Sequence, residues 1–131
     1  MEYQPWRMQG VEAATILVVE DEAFIRFMAA DFLRECGWNV VEANCAASAV
    51  GVLECDSSVA LVFSDIQMPG VMDGIALANW VRTNRPGVRI MLTSGAVRDV
   101  DTGLSDSGII PKPYSLDLIG NRVEQLLTAS I

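Results

Sequence analysis

Four apolar runs in this sequence each end in a residue that can do chemistry. TILVV is followed by Glu20, Asp21 and Glu22; VALVFS by Asp65; RIMLT, ending in Thr93, by Ser94; and GII leads through Pro111 to Lys112, which precedes Pro113. Each has an ordinary reading alone, since acids after a strand cap helices, Ser before Gly makes turns and Lys-Pro makes loops. Together they supply acids, a hydroxyl and an amine to one rim, provided the runs are strands of one parallel sheet. Two carboxylates about 4 Å apart repel by roughly 4 kcal/mol at an effective dielectric of 20. Three acids converging on one Lys therefore call for another cation. Hard oxygen donors suit Mg²⁺ (or Mn²⁺), which takes one or two carboxylates, waters and a phosphate oxygen. Lys112 would then be a point charge on a phosphoryl group, and Ser94 a hydrogen-bond donor to it.

The elements that must position these residues follow from the apolar pattern. Residues 15–20, 38–43, 59–64, 89–94 and 108–110 read as short buried strands. Between them, Ile25, Met28, Phe32 and Cys36 form a helical stripe stopped by Gly37, and residues 46–54 form a weaker helix around Gly51. Asp73 caps a third helix that ends near Arg82 and Arg85. The last helix carries Leu116, Ile119, Val123, Leu126 and Leu127 behind a Ser115 cap. Residues 96–107, AVRDVDTGLSDS, are poor helix formers. Strands alternating with helices imply right-handed crossovers and a parallel sheet covered on both faces. Ligands bind such sheets beyond the carboxyl ends of the strands, where the winding reverses.

Composition excludes several functions. The chain has 131 residues, enough for one domain with a real core, and is 51% hydrophobic. No apolar run reaches the roughly 18 residues that span a bilayer, and residues 1–14 lack the plan of a signal peptide. A net charge of −8 argues against nucleic acid. The absence of histidine rules out Ser-His-Asp chemistry, His-ligated zinc and a phosphohistidine intermediate within the chain. Cys36, Cys45 and Cys55 are odd in number and read as helix-face or core thiols, with a reducing cytoplasm as the expected compartment.

The segments ILVVEDE, SDIQMPG, LTSG and PKPY, in this order and at these intervals, resemble the response-regulator receiver domain of two-component signalling. The resemblance covers about Thr15 to Leu127. It implies a single flavodoxin-like (βα)5 domain over residues 15–128, with strand order 2-1-3-4-5, behind an extension at 1–14. It further implies that Asp65 is the phosphoacceptor, that Glu20, Asp21, Asp65 and the backbone carbonyl of Gln67 bind Mg²⁺ or Mn²⁺, and that Ser94 and Lys112 contact the phosphoryl group. The bond before Pro113 is expected to be cis. The donor would be a histidine kinase or phosphotransfer protein, and the output a contact with another protein rather than enzymatic turnover.

The sequence departs from the family pattern in places. Glu20 stands where Asp is usual, so its longer side chain is expected to reach a metal through water. Ile109 stands where a switch aromatic is common, and Val71–Met72 lengthens the loop after Asp65. Ile109 and the weak 96–107 segment motivate an alternative, a pseudo-receiver that binds protein without being phosphorylated. A phosphatase with an Asp nucleophile would need an acid two residues later, where Gln67 stands. The chain ends after the last helix, so no fused effector is expected. The surface of residues 96–127 is the expected output patch, and that surface and the N-terminal arm are the candidates for homodimer formation.

Overall fold

The computed structural model describes residues 14–95 and 109–128. Five strands, Thr15–Val19 (β1), Asn39–Ala43 (β2), Val59–Asp65 (β3), Arg89–Ser94 (β4) and Ile109–Pro111 (β5), form one sheet in the order β2-β1-β3-β4-β5. Every pairing in it is parallel. The four helices among the described residues are Ala23–Glu35 (α1), Ala46–Cys55 (α2), Gly74–Asn84 (α3) and Leu116–Thr128 (α4). This is the flavodoxin-like arrangement expected from the sequence.

Side chains of a strand alternate between faces, so β1 serves two cores at once. Leu17 and Val19 join Val62 beneath Ala46, Ala49 and Leu53 of α2 and Leu77 and Val81 of α3. Ile16 and Val18 join Leu61, Phe63, Met91 and Ile110 beneath Ala29 and Leu33 of α1 and Ile119 and Val123 of α4. Both faces being covered is why the strands read as unbroken apolar runs rather than alternating ones.

The caps follow the sequence closely. Asp73 Oδ1 accepts from the Ala76 N–H at 2.9 Å, and Ser115 Oγ from the Leu118 N–H at 3.2 Å. Gly37 closes α1 with a φ of +106°, a conformation that costs a residue without Cβ little. The face of α1 differs from expectation. Its buried residues are Ala29, Ala30 and Leu33, while Met28 is largely exposed and Ile25, Phe32 and Cys36 are only half-buried. Alanines seat the helix close to the sheet, and the larger side chains on either side spread outward.

The thiols lie at helix ends, as the first of their two readings had it. No disulfide joins them: Cys36, packed against the edge of the core, and Cys45 are half-buried, and Cys55 is exposed. Cys45 is the N-cap of α2, its Sγ accepting from the Ser48 N–H. Among the described residues no helix is long and apolar enough to cross a membrane. The weak 96–107 segment, residues 1–13 of the N-terminal extension, and the part of the 96–127 surface before Ile109 lie outside the described residues.

Candidate functional site

β1 has β2 on one side and β3 on the other, so the winding reverses between β1 and β3, and the crevice lies beyond their carboxyl ends. Register then fixes what meets there. Val19 is level with Ser64, and Asp65 with Thr93, while Ser94 is level with Pro111. Backbone bonds lock these ends together: Ile66 N–H donates to Thr93 O at 2.9 Å and Lys112 N–H to Ser94 O at 3.0 Å. The Lys112–Pro113 peptide is cis, as expected.

Lys112 is the centre of the arrangement. Its Nζ donates to Glu20 Oε1 at 2.9 Å and to Asp65 Oδ2 at 3.1 Å. Glu20 and Asp65 are each only 4% exposed, whereas Asp21 is exposed. Carboxylate oxygens of Glu20, Asp21 and Asp65 lie within 4.8 Å of one another. At that spacing two like charges repel by about 3–4 kcal/mol at an effective dielectric of 20. One ammonium faces three carboxylates, so the cluster has room, charge and hard oxygen atoms for a divalent cation, and the residues fit such an ion.

Titration follows the same imbalance. Burial pushes the Glu20 carboxyl above its usual range, with the Asp65 charge adding to it, against the lowering effect of Lys112 and the Glu22 N–H. For Lys112 burial acts to lower the ammonium, yet the two carboxylates outweigh it and the net shift is upward. The two results differ because Lys112 has two partners and a side chain 20% exposed, while Glu20 shares one cation and is nearly sealed. Tyr114, packed against Phe63 with ring centroids 5.7 Å apart, is pushed up to about 12 by burial and by the Glu20 charge.

Glu20, Asp21, Asp65 and Lys112 converge, while the neighbouring Glu22 and Thr93 do not join them. Glu22 adds no carboxylate to the cluster; its N–H donates to Glu20 Oε2 at 3.1 Å. Thr93 turns away, its Oγ1 donating to Ile110 O at 2.7 Å. Ser94, fully buried, donates from Oγ to Gln67 Oε1 at 2.9 Å. Ile109 packs beside Ile66, Ala78 and Leu92.

The sequence reading missed three supporting residues. Gln67 was singled out only for its carbonyl, yet its N–H donates to Asp65 Oδ1 at 3.3 Å and its side chain covers Ser94. Arg26 Nη1 donates to Glu20 O at 2.9 Å while its Nε pairs with Glu42 at 3.2 Å, which fixes the turn after β1. An Arg six residues after Glu20, in the first turn of α1, was the available signal for it. Gly74 is the third: a Cβ there would fall on the Asp65 carbonyl and within 2.7 Å of Ile66 Cα, so only glycine lets α3 start this close to the site.

The profile of the response regulator receiver domain matches residues 16–124. The chain belongs to this family. It is 30% identical over 119 residues to the response regulator receiver protein CpdR of Brucella abortus, covering 88% of this chain and 98% of that one. A response regulator receiver protein from Sinorhizobium medicae superposes with a TM-score of 0.83 at 30% identity, covering 92% of this receiver and 98% of the other chain. TrrA of Thermotoga maritima, solved in complex with Mg(2+)-BeF, superposes with a TM-score of 0.77 at 26% identity, over 86% and 98% of the two chains. Other curated relatives are longer, and the receiver spans between 13% and 52% of their length. Receivers are signalling domains of two-component systems that bind Mg²⁺ in an acidic pocket and interact with histidine kinases or phosphotransfer proteins; here Glu20, Asp21 and Asp65 form an acidic cluster.

Proposed function

We propose that this receiver, taken as residues 15–128 behind an extension at 1–14, accepts a phosphoryl group on Asp65. The donor is a phosphohistidine of a kinase or phosphotransfer protein, and the phosphorylated form signals through contact with another protein in the cytoplasm. The observation that carries this reading is the position of Lys112 Nζ, bonded to Asp65 and Glu20 at once beside an exposed Asp21.

In the reaction one oxygen of the Asp65 carboxylate attacks phosphorus in line, forming a P–O bond as the P–N bond to the donor imidazole breaks. The electron pair leaves with the imidazole. Glu20, Asp21, Asp65 and the Gln67 carbonyl would hold Mg²⁺ or Mn²⁺, with Glu20 bonding it directly or through water. When bound, the ion supplies positive charge against the phosphoryl oxygens. Lys112 holds the carboxylate in place beforehand and offers its ammonium to a phosphoryl oxygen afterwards. Ser94 Oγ supplies a donor to another. Beside Lys112 a groove of about 480 Å³ lies between α1 and the start of α4, lined by Phe24, Ile25, Met28, Tyr114 and Leu116. Phe24 is 74% exposed, and this apolar surface next to the reacting carboxylate suits a helix of the phosphodonor protein.

Incubation with Mg²⁺ and acetyl phosphate should add the mass of one phosphoryl group to the native protein and none to Asp65→Asn. Equal labelling of both would refute the assignment. A native protein that binds Mg²⁺ but is never labelled would instead favour the pseudo-receiver reading that Ile109 motivates.

A further inference from the structure

Ser94 and Gln67 sit on opposite sides of the solvent boundary. Ser94 is completely buried, Gln67 is exposed, and the hydroxyl of the first donates to the side-chain oxygen of the second at 2.9 Å. Gln67 also gives its backbone N–H to Asp65 Oδ1 at 3.3 Å. The residue therefore touches both the carboxylate that would take the phosphoryl group and the hydroxyl that would bind it. A hydroxyl has one proton to donate. While Ser94 spends it on Gln67 Oε1, none remains for a phosphoryl oxygen.

We propose that the Gln67 side chain is a latch on Ser94, a positioning residue that holds the hydroxyl in its unphosphorylated bond and opposes phosphorylation of Asp65. The inference rests on Asp65 being the phosphoacceptor. A charged phosphoryl oxygen is the stronger acceptor, so it takes the proton and the latch opens. Being exposed, the amide can turn out into water at little cost. The affinity of the site for a phosphoryl group is then lower than its direct contacts would give, by the strength of one neutral hydrogen bond. The latch acts through Ser94 alone, so its effect should vanish when that hydroxyl is absent.

Beryllofluoride with Mg²⁺ serves as the phosphoryl mimic, its affinity measured by titration calorimetry for the native chain, Gln67→Met, Ser94→Ala and the double variant. Met keeps the length of the side chain and removes the acceptor. Gln67→Met should bind about 2- to 10-fold more tightly than the native chain. In the Ser94→Ala background the same substitution should change affinity by less than about 2-fold. An equal gain in both backgrounds would mean a general loosening of the loop, and would overturn the latch. Native binding with no gain in Gln67→Met would overturn it too, leaving the phosphoacceptor reading intact. Failure of all four proteins to bind would remove both.

Discussion

At the end of the sheet where the strands begin, Arg85 spreads its guanidinium over the backbone carbonyls of Leu53, Asp56, Ser57 and Val59. Nearby, Ser58 donates from its hydroxyl and N–H to Asp56 and holds that carboxyl below its usual range. At the opposite end Lys112 serves two buried carboxylates, with a third within reach. Both rims are organised by one cation, but the first faces carbonyl dipoles and a single carboxylate, and the second faces an excess of negative charge. A rim whose groups are mutually satisfied contributes stability. A rim left short of positive charge stores repulsion that a ligand can relieve, which is why the proposed site is there.

The contrast can be broken at either cation. Arg85→Ala removes bonds from a charged donor to several carbonyls, each worth about 1.5–3 kcal/mol where fully buried and less at this half-exposed position. We expect a loss of about 2–3 kcal/mol in urea unfolding, with the extent of labelling per folded molecule unchanged. If Arg85→Ala impairs labelling of folded protein, the two ends are not independent.

Lys112→Met should cost less, about 1–2 kcal/mol at pH 7 without metal. Removing one partner of a sealed ion pair costs about 3–5 kcal/mol, but Lys112 is partly solvated and the orphaned Glu20 can take a proton. The loss should shrink on adding Mg²⁺, while labelling of Asp65 falls to background. A stability loss as large as that of Arg85→Ala, and unaffected by Mg²⁺, would show that Lys112 is structural in the same sense.

Much of this was legible in the sequence because strand ends are written in it. An apolar run ending in a charge or a hydroxyl marks the rim, and four such ends put Glu20, Asp21, Asp65, Ser94 and Lys112 on it. What escaped was side-chain direction. The pleat sends the Thr93 hydroxyl to Ile110 and that of Ser94 to Gln67, partners that the order of residues does not reveal. The stripe on α1 was misplaced for a related reason: weighting residues by size favoured Met28 over Ala29 and Ala30, although close packing against a sheet selects small side chains. Arg26 and the side chain of Gln67 act through distant partners, and local pattern carries no record of those.

The smallest expected effect has the opposite sign and concerns Glu20. Its folded carboxyl titrates above the usual value, so between that value and the raised one the folded state holds more protons than the unfolded chain. Stability without metal must therefore fall as pH rises through that window, and the favourable contribution survives only on its acid side. Glu20→Gln carries no such proton, so its stability should match the native chain in acid and exceed it slightly at neutral pH. Saturating Mg²⁺ should invert the order, because the ion binds the ionised carboxylate and stabilises the native chain more than the variant. Thermal unfolding at pH 4.5 and pH 7, each with and without Mg²⁺, measures all four terms. A Glu20→Gln variant less stable than the native chain at neutral pH without metal would mean that the Lys112–Glu20 bridge outweighs desolvation, and that the rim at the carboxyl ends is as well satisfied as the one around Arg85.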